Sequence, residues 1–211
     1  GFWRGVNINQ NAIFMECFVD EMAEVAGMDP LEFRRKYSAN RPRTLAVLNA
    51  VAERMNWSSK PKAGVFRGIA QQFSFGSYVA AGCELSVTGG NKIKIHRIVA
   101  ATDPGYAVNP AQIERQVSGS FVYGLSALFE QECTVKDGRI VQTNFDSFGS
   151  VRLAQMPPVE TILLQGGGPS WGGVGEPTIA VAAPAVLNAF YQATGRRLRT
   201  VPLKNLGVTL V

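Results

Sequence analysis

The chain has 211 residues, 46% hydrophobic and 18% charged, a balance that excludes a disordered polymer and allows a packed core in one or two domains. Its 22 Gly and 11 Pro are ordinary counts, so collagen-like and low-complexity readings fail. The formal charge of +5 is spread along the chain, with tight clusters only at Arg34-Arg35-Lys36, Arg41 with Arg43, and Arg196-Arg197 with Arg199. A nucleic-acid binder would gather cations on one face among aromatics, so no nucleic-acid partner is expected.

Residues 11–26 place Ala12, Met15, Phe18 or Val19, Met22 and Ala26 at helical spacing, with Glu16, Asp20, Glu21 and Glu24 at the other positions. This predicts an amphipathic helix that stops at Gly27. Asp29-Pro30 restarts a short helix through Tyr37, with Asp as cap and Pro in the first turn. A third helix is expected over residues 43–55. The period then changes. Residues 64–88 and 92–101 read as three strands, the last two joined by Gly89-Gly90-Asn91. Asn109-Pro110 opens a helix through about residue 128. Asp137-Gly138 between Val135 and Ile140 predicts a hairpin. A strand at 159–164, a glycine loop, a helix at 179–194 and a closing strand at 201–206 complete the pass. Helices and strands mix without strict alternation, which favours an α+β fold with mixed β-sheets packed with helices.

Cys17, Cys83 and Cys133 are odd in number and lack any close spacing, and His96 is the single histidine. They do not form a zinc or cysteine-ligated cluster motif. The cysteines read as buried small hydrophobes, and His96, in an alternating strand, as structural. The longest apolar stretch, 178–190, is too short to cross a bilayer and contains Pro184, so no transmembrane segment is expected. A start at Gly1 rather than Met fits a piece cut from a longer polypeptide.

Six glycines fall between Gly166 and Gly175, after a strand and before a helix. Such a loop is either a turn or a cradle whose amides meet an anion. No Gly-Lys-Ser/Thr follows, and the acidic residue of a dinucleotide site is missing about 20 residues on. Glu176, between Gly175 and Pro177, reads equally as a helix N-terminal charge or as a general base in an enclosed site.

Gly173-Val174-Gly175-Glu176-Pro177 resembles the catalytic-glutamate motif of the molybdenum hydroxylases, the xanthine dehydrogenase and aldehyde oxidoreductase family. Trp3-Arg4-Gly5-Val6 with Gln10-Asn11-Ala12 and residues 16–23 is similar to that family's aromatic-Arg segment and following helix. Gly68-Ile69-Ala70 with Ser74 to Ala80, and Val108-Asn109-Pro110 with Gln116 to Ser126, resemble the branch formed by the beta chains of isoquinoline 1-oxidoreductase. The resemblance spans nearly all of residues 1–211, with a sub-boundary placed near 56–64. It implies a C-terminal part of a large molybdopterin-binding subunit.

The resemblance implies hydroxylation of an aldehyde or N-heteroaromatic carbon with water as oxygen donor. Glu176 would be the general base toward metal-bound hydroxide. The metal would be held by the pterin, with no direct protein ligand, as molybdenum-molybdopterin in the cytosine dinucleotide form. Gln116, Trp3, Arg4, Gly5, Gly173 and Gly175 take cofactor-contacting positions; for Gln116 the alternative is an ordinary exposed amide. Val6 stands where xanthine-type enzymes carry a stacking phenylalanine, which argues against a purine slot. Trp171 would wall a small aromatic or aldehyde substrate, or anchor packing. Asn7-Ile8-Asn9 departs from the branch's Gly-x-Ser. Electrons would leave through [2Fe-2S] clusters on a small partner subunit. A complete subunit of this kind is several times longer, and its Gln-x-Gly-Gln-Gly type loop is missing here. The isolated chain is therefore expected to be inactive, to hold no cofactor alone and to expose an apolar surface where the remainder packs. Relatives in this branch are often exported, which points to the periplasm. The alternative reading is a noncatalytic scaffold that keeps the fold.

Overall fold

The computed structural model describes residues 3–211. Three helices come first: α1 (Ile8–Val25), α2 (Pro30–Tyr37) and α3 (Pro42–Arg54). Asp29 starts α2 as its residue type demands, with Oδ1 accepting from Leu31 N at 2.8 Å and Glu32 N at 3.1 Å. Strands β1 (Phe66–Ser74), β2 (Ser77–Thr88) and β3 (Lys92–Asp103) form an antiparallel meander. Then follow α4 (Pro110–Phe129), the small hairpin β4 (Val135–Lys136) and β5 (Arg139–Ile140), β6 (Val159–Leu163), α5 (Ala182–Thr194) and β7 (Thr209–Leu210). Asp137 and Gly138 both have positive φ, the pair of left-handed residues that a tight two-residue hairpin requires.

The strand order is β1-β2-β3-β6, and both β6 and β7 run parallel to β3 at different points along it. The sheet is mixed and packed with helices, as expected of an α+β fold. Alternation along the strands sends neighbouring residues to opposite faces. Ile69, Ala80, Val99 and Ala101 pack with Val47, Leu48 and Val51 of α3. Ala70, Val79, Ala81 and Ala100 face α4 and α5, with Phe121, Leu125, Val186 and Phe190 among their partners. Gly68 lets α5 lie directly on β1, since a Cβ there would collide with Ala185 O and Ala189 N.

Three expectations need correction. Helical spacing alone would bury Met15, Phe18 and Met22; instead α1 buries Ala12, Glu16, Asp20 and Ala23 and leaves those three exposed. The inward carboxylates are neutralised. The buried Arg34 guanidinium donates from Nε to Glu16 Oε2 at 2.9 Å and lies 3.6 Å from Asp20 Oδ1. Arg197 donates to Asp20 Oδ2 at 2.8 Å. Gln71 N on β1 donates to Glu16 Oε2 at 2.9 Å. With their partners supplied, buried carboxylates become tolerable, and the small alanines allow close approach. The apolar side chains Phe14, Met15, Phe18, Met22 and Val25 are left outward.

The second correction is at the C-terminus: residues 203–206 form a 3-10 turn (Leu203–Leu206), and the closing strand is β7. The third concerns the cysteines, of which only Cys83 is buried; Cys17 is half-buried and Cys133 exposed. Burial pushes the Cys17 thiol up to about 12, helped by Asp20 and Glu16.

Candidate active site

Three distant stretches meet at one place. The first is the turn before α1. Gly5 has φ +84, and a Cβ there would lie 2.5 Å from Asn9 Oδ1 and from Ile179 Cγ2, so only glycine fits the turn. Val6 follows at φ 49, an uncommon backbone state for a β-branched residue. Asn9, the second residue of α1, donates from Nδ2 to Arg4 O at 2.7 Å and holds this turn in place.

The second stretch is α4, whose Asn109 cap accepts from Gln112 N at 3.2 Å. It carries Gln116 on an exposed turn, with Gly119 and Tyr123 further along. The third is the end of the glycine loop. Glu176 sits just before a 3-10 turn (Pro177–Val181) and makes no side-chain cap to it. Its Oε1 accepts from Gly5 N at 3.1 Å instead, and Oε2 has no donor among the described residues. Glu176 thus stands at the N-terminus of this turn, as a dipole-favoured charge would, while its side-chain hydrogen bond goes to the distant Gly5 amide.

Arg4 ties the three together. Its Nε donates to Gly175 O at 2.7 Å, and its Nη2 to Gln116 O and Gln116 Oε1, both at 2.9 Å. The guanidinium lies over the Tyr123 ring at 5.4 Å, and Tyr123 in turn packs against Trp3 at 5.7 Å between ring centres. Burial draws the Arg4 pKa below its ordinary value, against the raising influence of Tyr123 and Glu176; an arginine remains charged regardless. Behind this junction is a cleft of about 210 Å³ lined by Trp3, Ile13, Gly124, Leu128, Ile179 and Val201. Glu176 and Gln116 do not line it.

The rest of the glycine loop is pinned rather than open. Gly166 N donates to Asp103 Oδ1 at 2.9 Å, Gly167 N to Gly105 O at 3.0 Å, Gly172 N to Pro104 O at 2.8 Å and Gly173 N to Phe75 O at 2.7 Å. Ser77 Oγ donates to Gly173 O at 2.5 Å. Those four amides are spent on the protein itself and form no anion cradle. Glycine is needed here for close approach: a Cβ at Gly172 would strike Ser77 Oγ and the Gly76 carbonyl. Trp171 stands 5.4 Å from the Tyr106 ring and is 63% exposed, with no hydrogen bond to the Glu176 junction. His96 is exposed and bonds Ser86 Oγ at 2.9 Å.

Sequence reasoning missed Asp103, the hub of this loop. It accepts from Gly105 N at 2.9 Å, from Gly166 N and from Arg43 Nε at 2.8 Å. Burial by itself would raise its pKa; the Arg43 bond and the two amides outweigh this and hold it below 3.8. Asp103-Pro104-Gly105 is a turn signature in which an Asp caps its own turn, and this could have been read. Asn9 carried no such signal.

Comparison with known proteins shows the family. The model for the molybdopterin cofactor-binding domain matches residues 7–157. The chain belongs to that family. The matched span contains Gln116 but begins after Gly5 and ends before Glu176. The chain is 28% identical over 207 residues to the beta chain of isoquinoline 1-oxidoreductase from Brevundimonas diminuta, covering 96% of this chain and 26% of that protein. It is 27% identical over 222 residues to a nicotinate dehydrogenase subunit from Pseudomonas putida, covering 95% and 18%. It therefore spans about a quarter or less of these relatives. The aldehyde oxidoreductase structure from Desulfovibrio gigas shares the fold, with TM-score 0.67 and 14% identity over 95% of this chain and 40% of that one.

Proposed function

We propose that this domain supplies the base-bearing wall of the active site in a molybdenum hydroxylase that oxidises an aldehyde or N-heteroaromatic carbon with water as oxygen donor. The observation that carries the reading is the junction of Arg4-Gly5, Gln116 and Gly175-Glu176, three stretches far apart in sequence, in a chain of the molybdopterin-binding family. Their chemistry fits the cofactor. One carboxylate oxygen and one amide end are left without protein partners on adjoining elements, which suits a group that offers both an acidic proton and oxygen acceptors. The reading assigns the metal no direct protein ligand; among the described residues no set of three His, Cys, Asp or Glu side chains is grouped to ligate one.

When bound, molybdenum-molybdopterin, assigned here its cytosine dinucleotide form, supplies the two-electron redox chemistry. Glu176 does the proton work. Gly5 N holds Oε1, while Oε2 is the atom that accepts a proton from the water-derived hydroxyl. Gln116 and the backbone of residues 3–5 orient the cofactor. Gly173 and Gly175 keep the loop close to it. Val6 and Trp171 are assigned to the substrate side. The remainder of the large subunit and a small [2Fe-2S] subunit complete the enzyme.

In the complete enzyme, Glu176→Gln should retain molybdenum and lose turnover by about 10²–10⁴-fold, the scale of a general base. Metal analysis beside steady-state rates checks both halves. Unchanged turnover would remove the base assignment and favour the scaffold reading, and a preparation active without molybdenum would remove the cofactor.

A further inference from the structure

Glutamine amides ordinarily present either end to a ligand, because oxygen and nitrogen exchange places by a half-turn. At Gln116 that choice is closed. Arginine carries only donors, and Arg4 Nη2 stands 2.9 Å from Gln116 Oε1. A turned amide would set N–H against N–H, with no bond formed and two like dipoles facing. We infer that Arg4 is a positioning residue that locks Gln116 with its oxygen inward, so that Gln116 meets its ligand only as a hydrogen-bond donor, through Nε2.

The lock is rigid on several sides. The same Nη2 reaches the Gln116 backbone carbonyl at 2.9 Å, and Nε reaches Gly175 O at 2.7 Å. Asn9 Nδ2 holds the Arg4 carbonyl. Gly119, three residues along α4, has no side chain, and a Cβ there would lie 3.2 Å from Arg4 Nη1. The flat guanidinium thus rests across the helix above Tyr123. A lysine has one point of charge and could not serve Gly175 O and both Gln116 oxygens in this geometry. The ligand group facing Gln116 must therefore be an acceptor, an oxygen with lone pairs. The bond from Arg4 to Gly175 also keeps that donor in register with Glu176.

This inference rests on the proposed function and is tested in the complete enzyme by cofactor retention, independently of turnover. Gln116→Glu is the decisive variant. A carboxylate keeps, and strengthens, the partner of Arg4, but has no N–H to give. If Gln116 is a donor, Gln116→Glu loses molybdenum and nucleotide on dilution about tenfold faster than wild type, as Gln116→Met does, the scale of a lost supporting contact. Arg4→Lys, which frees the amide to turn, falls between wild type and these two variants, and Arg4→Lys with Gln116→Met loses cofactor no faster than Gln116→Met alone. Thermal melts identify any variant that fails to fold, and Arg4→Lys then decides. Wild-type retention in Gln116→Glu, or additive losses in the double variant, would overturn the inference while leaving Glu176 and the proposed function intact. A complete enzyme that carries no molybdenum would overturn both.

Discussion

Gly5 shows how narrowly the junction is built at the level of one residue. Its amide is the donor to Glu176, its φ is +84, and the space beside it is filled by Asn9 and Ile179. Gly5→Ala combines a disfavoured backbone state with a collision at 2.5 Å. The turn must move, and with it the amide that fixes the carboxylate. We expect a destabilisation of about 1–3 kcal/mol and, in the complete enzyme, turnover lower by about 10²-fold, the cost of a misplacement near 1 Å. Urea unfolding and kinetics at matched molybdenum content measure the two effects separately. Spacing alone left Glu176 open to two readings, and Gln116 became a candidate only through the family resemblance. The hydrogen bond from Gly5 to Glu176 was not legible, because it joins positions 171 residues apart and no local pattern records such a pairing.

At the scale of the element, α1 is the instructive case. Its periodicity identified a helix, and the helix is there. The face it buries shares Ala12 with the one hydrophobicity selects but is turned from it toward Glu16 and Asp20, because Arg34 and Arg197 come from α2 and from the segment after α5 to meet them. Glu16→Ala would leave the buried Arg34 two backbone acceptors, Pro30 O and residue 16 O, but only the more distant Asp20 as a carboxylate near its Nη1, and strand β1 with an amide lacking its acceptor. The expected loss is about 3–5 kcal/mol, the cost of breaking a buried pair. Phe18→Ser on the outward face, at a side chain 60% exposed, should change stability by no more than about 0.5 kcal/mol. Equilibrium urea curves of the two variants compare the faces directly; a larger loss at Phe18 than at Glu16 would contradict the arrangement. The glycine loop teaches a related lesson. Its composition allowed a cradle, but Asp103, Gly105, Pro104 and Phe75 take up four of its amides.

Across the whole molecule, charge pairing makes the fold acid-sensitive. Asp103 is held below its ordinary 3.8, since Arg43 and two backbone amides outweigh burial; Glu84 is held below 4.5, since Arg97 and Arg67 do the same. A carboxylate with a depressed folded pKa binds fewer protons folded than unfolded. Its contribution is therefore fully present above the ordinary value and is lost as pH falls through the folded one. Stability measured in urea should be nearly flat from pH 7 to about 5 and then fall steeply below 4.5 and 3.8. Asp103→Asn should be less stable than wild type at pH 7 and should show a shallower acid decline. An equally steep decline in that variant would show that Asp103 is not among the groups responsible. Periodicity, caps and turn residues sufficed for the helices, the three-stranded meander, the Asp137-Gly138 hairpin and the α+β class, because each depends on neighbours within a few residues. Which face of α1 turns inward, where the loop amides are spent and how Arg4 joins Gln116 to Glu176 depend on groups brought together from across the chain, and those energies exist only once the elements have packed.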